Sequence, residues 1–235
     1  MLEWGISDEK IEYIPIGVDT KLFAPVNQGQ RDLIRGTLRL PKDVVVVGSF
    51  QKDGNGWGSG DSPKLIKGPD LFVDDLLRLK NKGFPVMALL TGPARGYVMN
   101  RLHEMQIPFI HRYVKDYAEL PAMYQALDFY MVTSREEGGP MGLIESMASG
   151  IPVVSTRVGM APDLIEDRVS GVLTDVEDLN ALVDGAAWLI NNKALAQISE
   201  AARKSSLRVD WEHIANEHWV KIYAPLIKSN LNKNP

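Results

Sequence analysis

The sequence predicts an α/β domain, a parallel sheet with helices on both faces, and three observations carry that expectation. Short apolar, β-branched runs alternate with amphipathic stretches, the pattern of strands linked by crossover helices. Several runs, Val44-Val-Val-Val47 above all, are apolar throughout, as strands are when both faces of their sheet are covered. The 235 residues, 45% of them hydrophobic, are ample for a packed core.

Taken in order, residues 1–42 read as an entry segment with one strand candidate, 11–16, before Gly17-Val-Asp and Leu22-Phe-Ala-Pro. The all-apolar run then gives a first core strand at 43–50, and a helix is expected at 69–82. Strands at 85–91 and 108–113 flank a helix at 95–106, and a short helix at 120–126 leads to a strand at 128–133. A helix at 142–148, a strand at 152–156, a helix at 161–166 and a strand at 170–174 complete the alternation. Helices at 178–191, 194–205 and 211–229 close the chain, and the polar tail 230–235 is expected to fray. No internal repeat is present.

Composition narrows the function. A formal charge of −4 and a pI near 5.6 argue against a nucleic-acid-binding surface. The absence of cysteine excludes disulfides and thiolate metal sites. Four histidines are present, and His213 and His218 lie five apart rather than at the i,i+4 spacing of a ligand pair, so no metal site is expected. No run of about 18 apolar residues offers a membrane span. The N-terminus lacks the basic and apolar regions of a signal peptide, which makes the cytoplasm the expected location.

The most informative segment is Ser134-Arg-Glu-Glu-Gly-Gly-Pro-Met-Gly-Leu-Ile-Glu-Ser-Met-Ala-Ser-Gly150. It sets an acidic pair and a small, flexible turn in front of a helix, with a further carboxylate, Glu145, one turn in. A helix N-terminus offers unpaired N–H groups and the positive end of a dipole, which suit an anion. Gly138 and Gly139 allow a ligand close to the backbone, and Pro140 has no N–H to lose in the first turn. Phosphates at the helix end and hydroxyls beside the carboxylates describe a nucleotide-sugar. Glu136 reads as a solvent-facing neighbour.

A glycine-rich loop, Lys52-Asp-Gly-Asn-Gly-Trp-Gly-Ser-Gly-Asp-Ser-Pro63, follows the first core strand. Its glycines recur every second residue and do not open directly into a helix, so they make no dinucleotide fingerprint. The simpler reading is a flexible loop whose Trp57 covers something. Ligands of open α/β sheets bind beyond the carboxyl ends of the strands, so this loop and the 134–142 turn are expected on one rim.

Ile14-Pro-Ile-Gly-Val-Asp19 with Phe23 and Pro25, Lys67-Gly-Pro-Asp-Leu71, Glu137-x7-Glu145, and Ile151-Pro-Val-Val-Ser-Thr156 with Gly159 occur in that order. Together they resemble the C-terminal half of a family-four retaining glycosyltransferase of the GT-B fold, over residues 11–223. The resemblance implies a Rossmann-like domain, residues 43–210, that binds a UDP-, GDP- or ADP-sugar donor, with 211–235 as a closing helix and tail. It implies that Glu145 accepts from ribose hydroxyls and that Glu137 contacts the donor sugar. Backbone N–H groups from Gly139 through Met141 and Gly142 to Leu143 would hold the diphosphate, and Lys67 would neutralise the leaving group. Arg112 and Tyr113 fall in the region that lines the base. No cofactor beyond the donor is implied.

The chain also departs from the family. Family members commonly carry a phosphate-binding arginine where Ser49 follows Gly48, and Lys52 or Lys64 is the expected replacement. Gly159-Met-Ala-Pro-Asp-Leu-Ile differs from the usual paired-glycine segment ending in Glu. The family's acceptor half has no counterpart here, so the chain is expected to be a donor half that works with a missing N-terminal domain or a partner subunit, through which alone a peripheral membrane contact would be made. Ile214, Trp219, Ile222, Tyr223 and Leu226 would then expose a patch for that partner. The alternatives are a non-catalytic nucleotide-sugar-binding module or subunit and, more remotely, a nicotinamide-dependent oxidoreductase or a sugar-nucleotide epimerase.

Overall fold

The structure, a computed structural model, describes residues 5–231, with side chains to residue 227. Residues 1–4 of the entry segment and 232–235 of the tail lie outside it. Six parallel strands form one sheet in the order β3-β2-β1-β4-β5-β6. They are β1 (Val45–Phe50), β2 (Val86–Thr91), β3 (Phe109–Arg112), β4 (Phe129–Val132), β5 (Val153–Thr156) and β6 (Val172–Thr174). All six fall within the expected runs, trimmed at the ends. The strand order reverses between β1 and β4, the switch point at which α/β sheets open a crevice for a ligand.

Successive strand residues point to opposite faces, and the two sides of the core separate accordingly. Val46, Leu89, Tyr130, Val132 and Val153 face one apolar cluster, while Val47, Leu90, Phe129, Met131 and Val154 face the other. The second face is covered by α2 (Pro69–Asn81), α3 (Gly96–Glu104) and α7 (Leu179–Asn191). The first is covered by α4 (Leu120–Gln125), α5 (Met141–Ala148), α6 (Ala161–Leu164), α8 (Leu195–Ser206) and the start of the C-terminal helix. Such two-sided burial is why the strands lack polar alternation.

Four expectations need correction. Residues 11–16 form no strand; the nearby backbone makes a single bridge, Val18 to Asp210, because the Val18 amide donates to Val209 O and the Trp211 amide donates to Val18 O rather than joining the sheet. The entry segment also holds an unexpected helix, α1 (Gln28–Thr37). Asn27 and Gln30 close a reciprocal cap at its start, and Arg31 and Arg35 reach Asp128 and the carbonyls of Leu127 and Ala126. Gly29 and Gly36 lower its intrinsic propensity, which hid it. Val18, Phe23, Leu38 and Leu40 from this segment are buried in the first apolar cluster. Finally, the single helix expected at 211–229 is α9 (Trp211–His218), a π-helical turn (Trp219–Tyr223) and α10 (Ala224–Leu231) in succession. Of the residues expected to expose a patch, Ile214 is instead buried in the first apolar cluster, while Trp219, Tyr223 and Leu226, with Val220, are about half exposed. Residues 230 and 231, expected to fray, close α10.

One carboxylate in α2 is buried without a partner. Asp75 is 0% exposed, and neither oxygen has a hydrogen bond among the described residues. Burial pushes its pKa up to about 8 despite Arg78 nearby. Below pH 4 the carboxyl is neutral in both folded and unfolded chains, so folding costs nothing extra. Between pH 4 and 8 the unfolded chain ionises while the folded chain keeps its proton, and stability falls as pH rises. Asp75→Asn is expected to match the native chain near pH 4 and to exceed it by on the order of 3 kcal/mol at pH 8. Urea unfolding at the two pH values checks this; a pH-independent difference would refute it.

Candidate functional site

The site is assembled at the carboxyl ends of β1 and β4. The 3-10 turn Leu65–Lys67 ends at Gly68, which stands in the left-handed region at φ 62° and starts α2 without a Cβ. A Cβ there would lie 1.8 Å from the Thr133 carbonyl oxygen, so only glycine lets these two backbones touch. Thr133 Oγ1 donates to Gly68 O at 2.8 Å, Gln51 Nε2 donates to Lys67 O at 3.1 Å, and the Arg135 amide donates to Ile66 O at 2.8 Å. The turn is clamped from both strands. Lys67 Nζ therefore reaches Glu137 Oε1 at 2.5 Å, where Ser134 Oγ also donates at 3.0 Å.

Glu137 begins the turn into α5. Gly139 packs against Ile16, and a Cβ on Gly159 would strike the Gly138 carbonyl oxygen at 2.4 Å, so the turn is held from outside as well. Gly138 has nothing near its would-be Cβ and is open. Pro140 caps α5, leaving the amides of Met141 and Gly142 at the helix N-terminus ahead of the i→i−4 ladder. The expected row of amides is shorter than the sequence implied. Pro140 has no N–H, and the Leu143 amide is turned back onto Pro140 O at 3.0 Å. Gly142 is obligatory for a different reason: its Cβ would come within 2.3 Å of the Tyr130 hydroxyl, which lies beneath the helix and accepts the Phe50 amide at 3.0 Å.

Glu145, one turn into α5, is 5% exposed. Its two oxygens are taken by phenols: Tyr117 Oη donates to Oε1 at 2.6 Å and Tyr124 Oη to Oε2 at 2.7 Å. Burial raises the carboxyl above its ordinary range, and the two bonds pull it back. Burial and then the bond to Glu145 raise the Tyr117 phenol in turn. Tyr124 packs edge-on against Phe50 and Phe23, with centroids 4.7 and 5.8 Å away. These tyrosines were missed in the sequence. A tyrosine in a short apolar helix reads as core, and one in a polar loop as surface.

The remaining expected residues are not gathered with these. Ser49 is 1% exposed and points to the opposite face of the sheet from α5, because alternation puts Gly48 and Phe50 on the α5 side. Its hydroxyl accepts from Arg95 at 3.1 Å, so it is no rim contact. Lys52 places its ammonium 4.1 Å from the centre of the Trp57 ring, and no contact brings it to Lys67. Trp57, expected to cover something, is 98% exposed on a loop pinned by Asn55–Ser62 and Lys64–Asp53 backbone bonds. Arg112 and Tyr113 are exposed at the end of the edge strand β3, two strands from the switch point. The residue of that connection that meets the site is Tyr117, where the chain turns back toward α4. Among the described residues no group of three or more His, Asp or Glu side chains could hold a metal ion, and no helix is long and apolar enough to cross a membrane.

With this geometry in view, the likeness to known proteins is direct. A family model for glycosyl transferases group 1 matches residues 66–205. The lipopolysaccharide core biosynthesis mannosyltransferase LpsB of Rhizobium meliloti is 31% identical over 201 residues, covering 80% of this chain and 54% of that protein. A D-inositol 3-phosphate glycosyltransferase of Corynebacterium urealyticum is 25% identical, covering 92% and 51%. Among solved structures, Anabaena HepE in complex with UDP-glucose superposes with a TM-score of 0.77 at 22% identity, over 95% of this chain and 60% of that one. The C-terminal domain of LpcC, a group 1 family protein of Francisella tularensis, superposes with a TM-score of 0.66 at 22% identity, over 81% and 97%. The chain belongs to the group 1 glycosyltransferases, with the Rossmann-like fold of their GT-B structures. It spans about half the length of the curated relatives it matches.

Proposed function

We propose that the chain is the donor-binding part of a glycosyltransferase that takes a hexosyl group from a UDP-, GDP- or ADP-sugar and passes it, with retention, to an acceptor. The observation that carries this reading is the convergence of the Lys67–Glu137 pair, the N-terminus of α5 and the buried Glu145 on one strand rim. Departure of a nucleoside diphosphate builds charge on phosphate oxygens, which a cation and oriented amides stabilise without a metal. Lys67 carries three donors, so it can keep Glu137 and still donate to a phosphate. The amides of Gly139, Met141 and Gly142 take the diphosphate beside it. Glu137 accepts from donor-sugar hydroxyls and favours the oxocarbenium-like anomeric carbon as the bond breaks. Glu145 accepts from the ribose. Retention rests on the resemblance to the family-four enzymes.

The relatives' names support a nucleotide-sugar donor and a sugar as transferred group: HepE is solved with UDP-glucose, and LpsB is a mannosyltransferase. In this reading residues 43–210 form the donor domain, 1–42 lead into it and 211–235 close it. The acceptor is brought by a further domain or partner subunit, for which the half-exposed Trp219, Val220 and Tyr223 offer an apolar face. The protein works in the cytoplasm, needs no cofactor beyond the donor, and meets no nucleic acid. Any membrane contact is made by the acceptor part.

Lys67→Ala is expected to weaken a nucleoside diphosphate at least about tenfold while sparing its nucleoside, because only the former offers phosphate charge. Glu145→Ala is expected to cost both ligands about 1–3 kcal/mol. Calorimetric titration reads both. Equal losses for the two ligands in Lys67→Ala, or an unchanged affinity in folded Glu145→Ala, would remove those residues from their roles.

A further inference from the structure

Two phenols hold Glu145, and they differ in what it costs to move them. Tyr124 is fully buried among Phe23, Phe50 and Tyr130, and its hydroxyl would lose its partner without finding water. Tyr117 is 50% exposed on the one-turn segment Tyr117–Glu119, between the edge strand and α4. Its ring touches Phe23 edge-on at 5.5 Å. If its hydroxyl let go of Oε1, it would swing into solvent and bond water at little net cost.

The carboxylate itself is less tolerant. At 5% exposure it cannot replace a lost donor with bulk water, so Oε1 must be supplied by Tyr117 or by something that takes its place. Tyr124 keeps Oε2, since its buried hydroxyl finds no water on leaving, and Tyr117 is the donor that a ligand can replace. A vicinal diol brings two hydroxyls, one for each oxygen. A ligand without such a diol has nothing to offer Oε1 in exchange.

Building on the donor-site reading, we propose that Tyr117 is a specificity-determining residue: its hydroxyl competes with a ribose diol for Glu145 Oε1, so that it lowers the affinity of ligands carrying both ribose hydroxyls and leaves that of others unaffected. The latch narrows the advantage of a ribonucleotide over a ligand without the diol, and it acts at the sugar rather than at the base or phosphates. It acts through Glu145 and contributes no chemistry to the transfer.

Tyr117→Phe keeps the ring on Phe23 and removes only the competing hydroxyl. Whichever of UDP, GDP and ADP the native chain binds is expected to bind this variant about fivefold more tightly. The 2′,3′-dideoxy form of the same nucleotide, which has no claim on Oε1, is expected to change less than about twofold. Weaker or unchanged binding of the ribonucleotide would overturn the proposal, since Tyr117 would then be a ligand contact, or would share Oε1 with the ribose, rather than compete for it. Equal tightening of both forms would overturn it too, because the effect would be one of access. Failure of the native chain to bind any of the three diphosphates would overturn the donor-site reading and the latch with it. That outcome is read before the variant and is distinct from the other two.

Discussion

Gly68→Ala is expected to destabilise the fold by roughly 4 kcal/mol or more, and to take Lys67 out of the site. Two costs add. Gly68 stands at φ 62°, where a side chain costs about 1–2 kcal/mol on its own. The new Cβ would also fall 1.8 Å from the Thr133 carbonyl oxygen and 2.6 Å from its carbon, and backbone cannot step aside as a side-chain tip would. Thr133 is tied to the same spot, since its Oγ1 donates to Gly68 O. The turn that carries Lys67 must therefore lift away from β4, breaking the contact with Glu137. Urea unfolding measures the first effect. A variant within about 1 kcal/mol of the native chain would show that the turn and β4 are not pinned together as described.

The second large effect is expected at Arg95, which is 1% exposed beneath the glycine-rich loop. Its guanidinium donates to Ser49 O and, at 2.8 Å, to Thr91 O, tying the ends of β1 and β2 together, and it lies 2.9 Å from Asp53 Oδ2. Asp53 is also 1% exposed, and burial pushes its carboxyl up even with Arg95 beside it. Arg95→Ala would strand that carboxylate and two strand-end carbonyls, at a cost of about 3–5 kcal/mol. Removing both partners should cost clearly less than the sum of the two single losses, because no orphaned charge remains. A double-mutant cycle by urea unfolding checks this, and strictly additive losses would mean that the pair is not coupled. The loop would loosen with it, since Asp53 opens the loop and Gly96 and Tyr97, next to Arg95, bond Ser59 and Gly60.

The sheet was legible in the sequence because its strands are buried on both faces and so read as unbroken apolar runs. The two site carboxylates were legible for a different reason: Glu137 and Glu145 bracket a glycine turn at a helix start, a local pattern that needs no tertiary information. What failed to show was whatever depends on contacts distant in sequence. Helix α1 is held by Arg31 and Arg35 on Asp128, some ninety residues away, against its own two glycines. Tyr117 reaches Glu145 only because the chain after β3 folds back over the sheet. Ser49, at the position where the resemblance places a phosphate-binding arginine, turns away from α5 because strand parity puts it on the other face. Lys52 chose the neighbouring indole, a contact set by the loop's hairpin shape.

On the proposed function, this rim binds a nucleoside diphosphate through its phosphates and its ribose together. Calorimetric titration of the native chain with UDP, GDP and ADP, each beside its nucleoside and beside NAD, reads that binding. One diphosphate is expected to saturate the chain and to bind at least about tenfold more tightly than its nucleoside, with NAD weaker still. A folded chain that binds none of the three, or that prefers NAD, would rule this binding mode out.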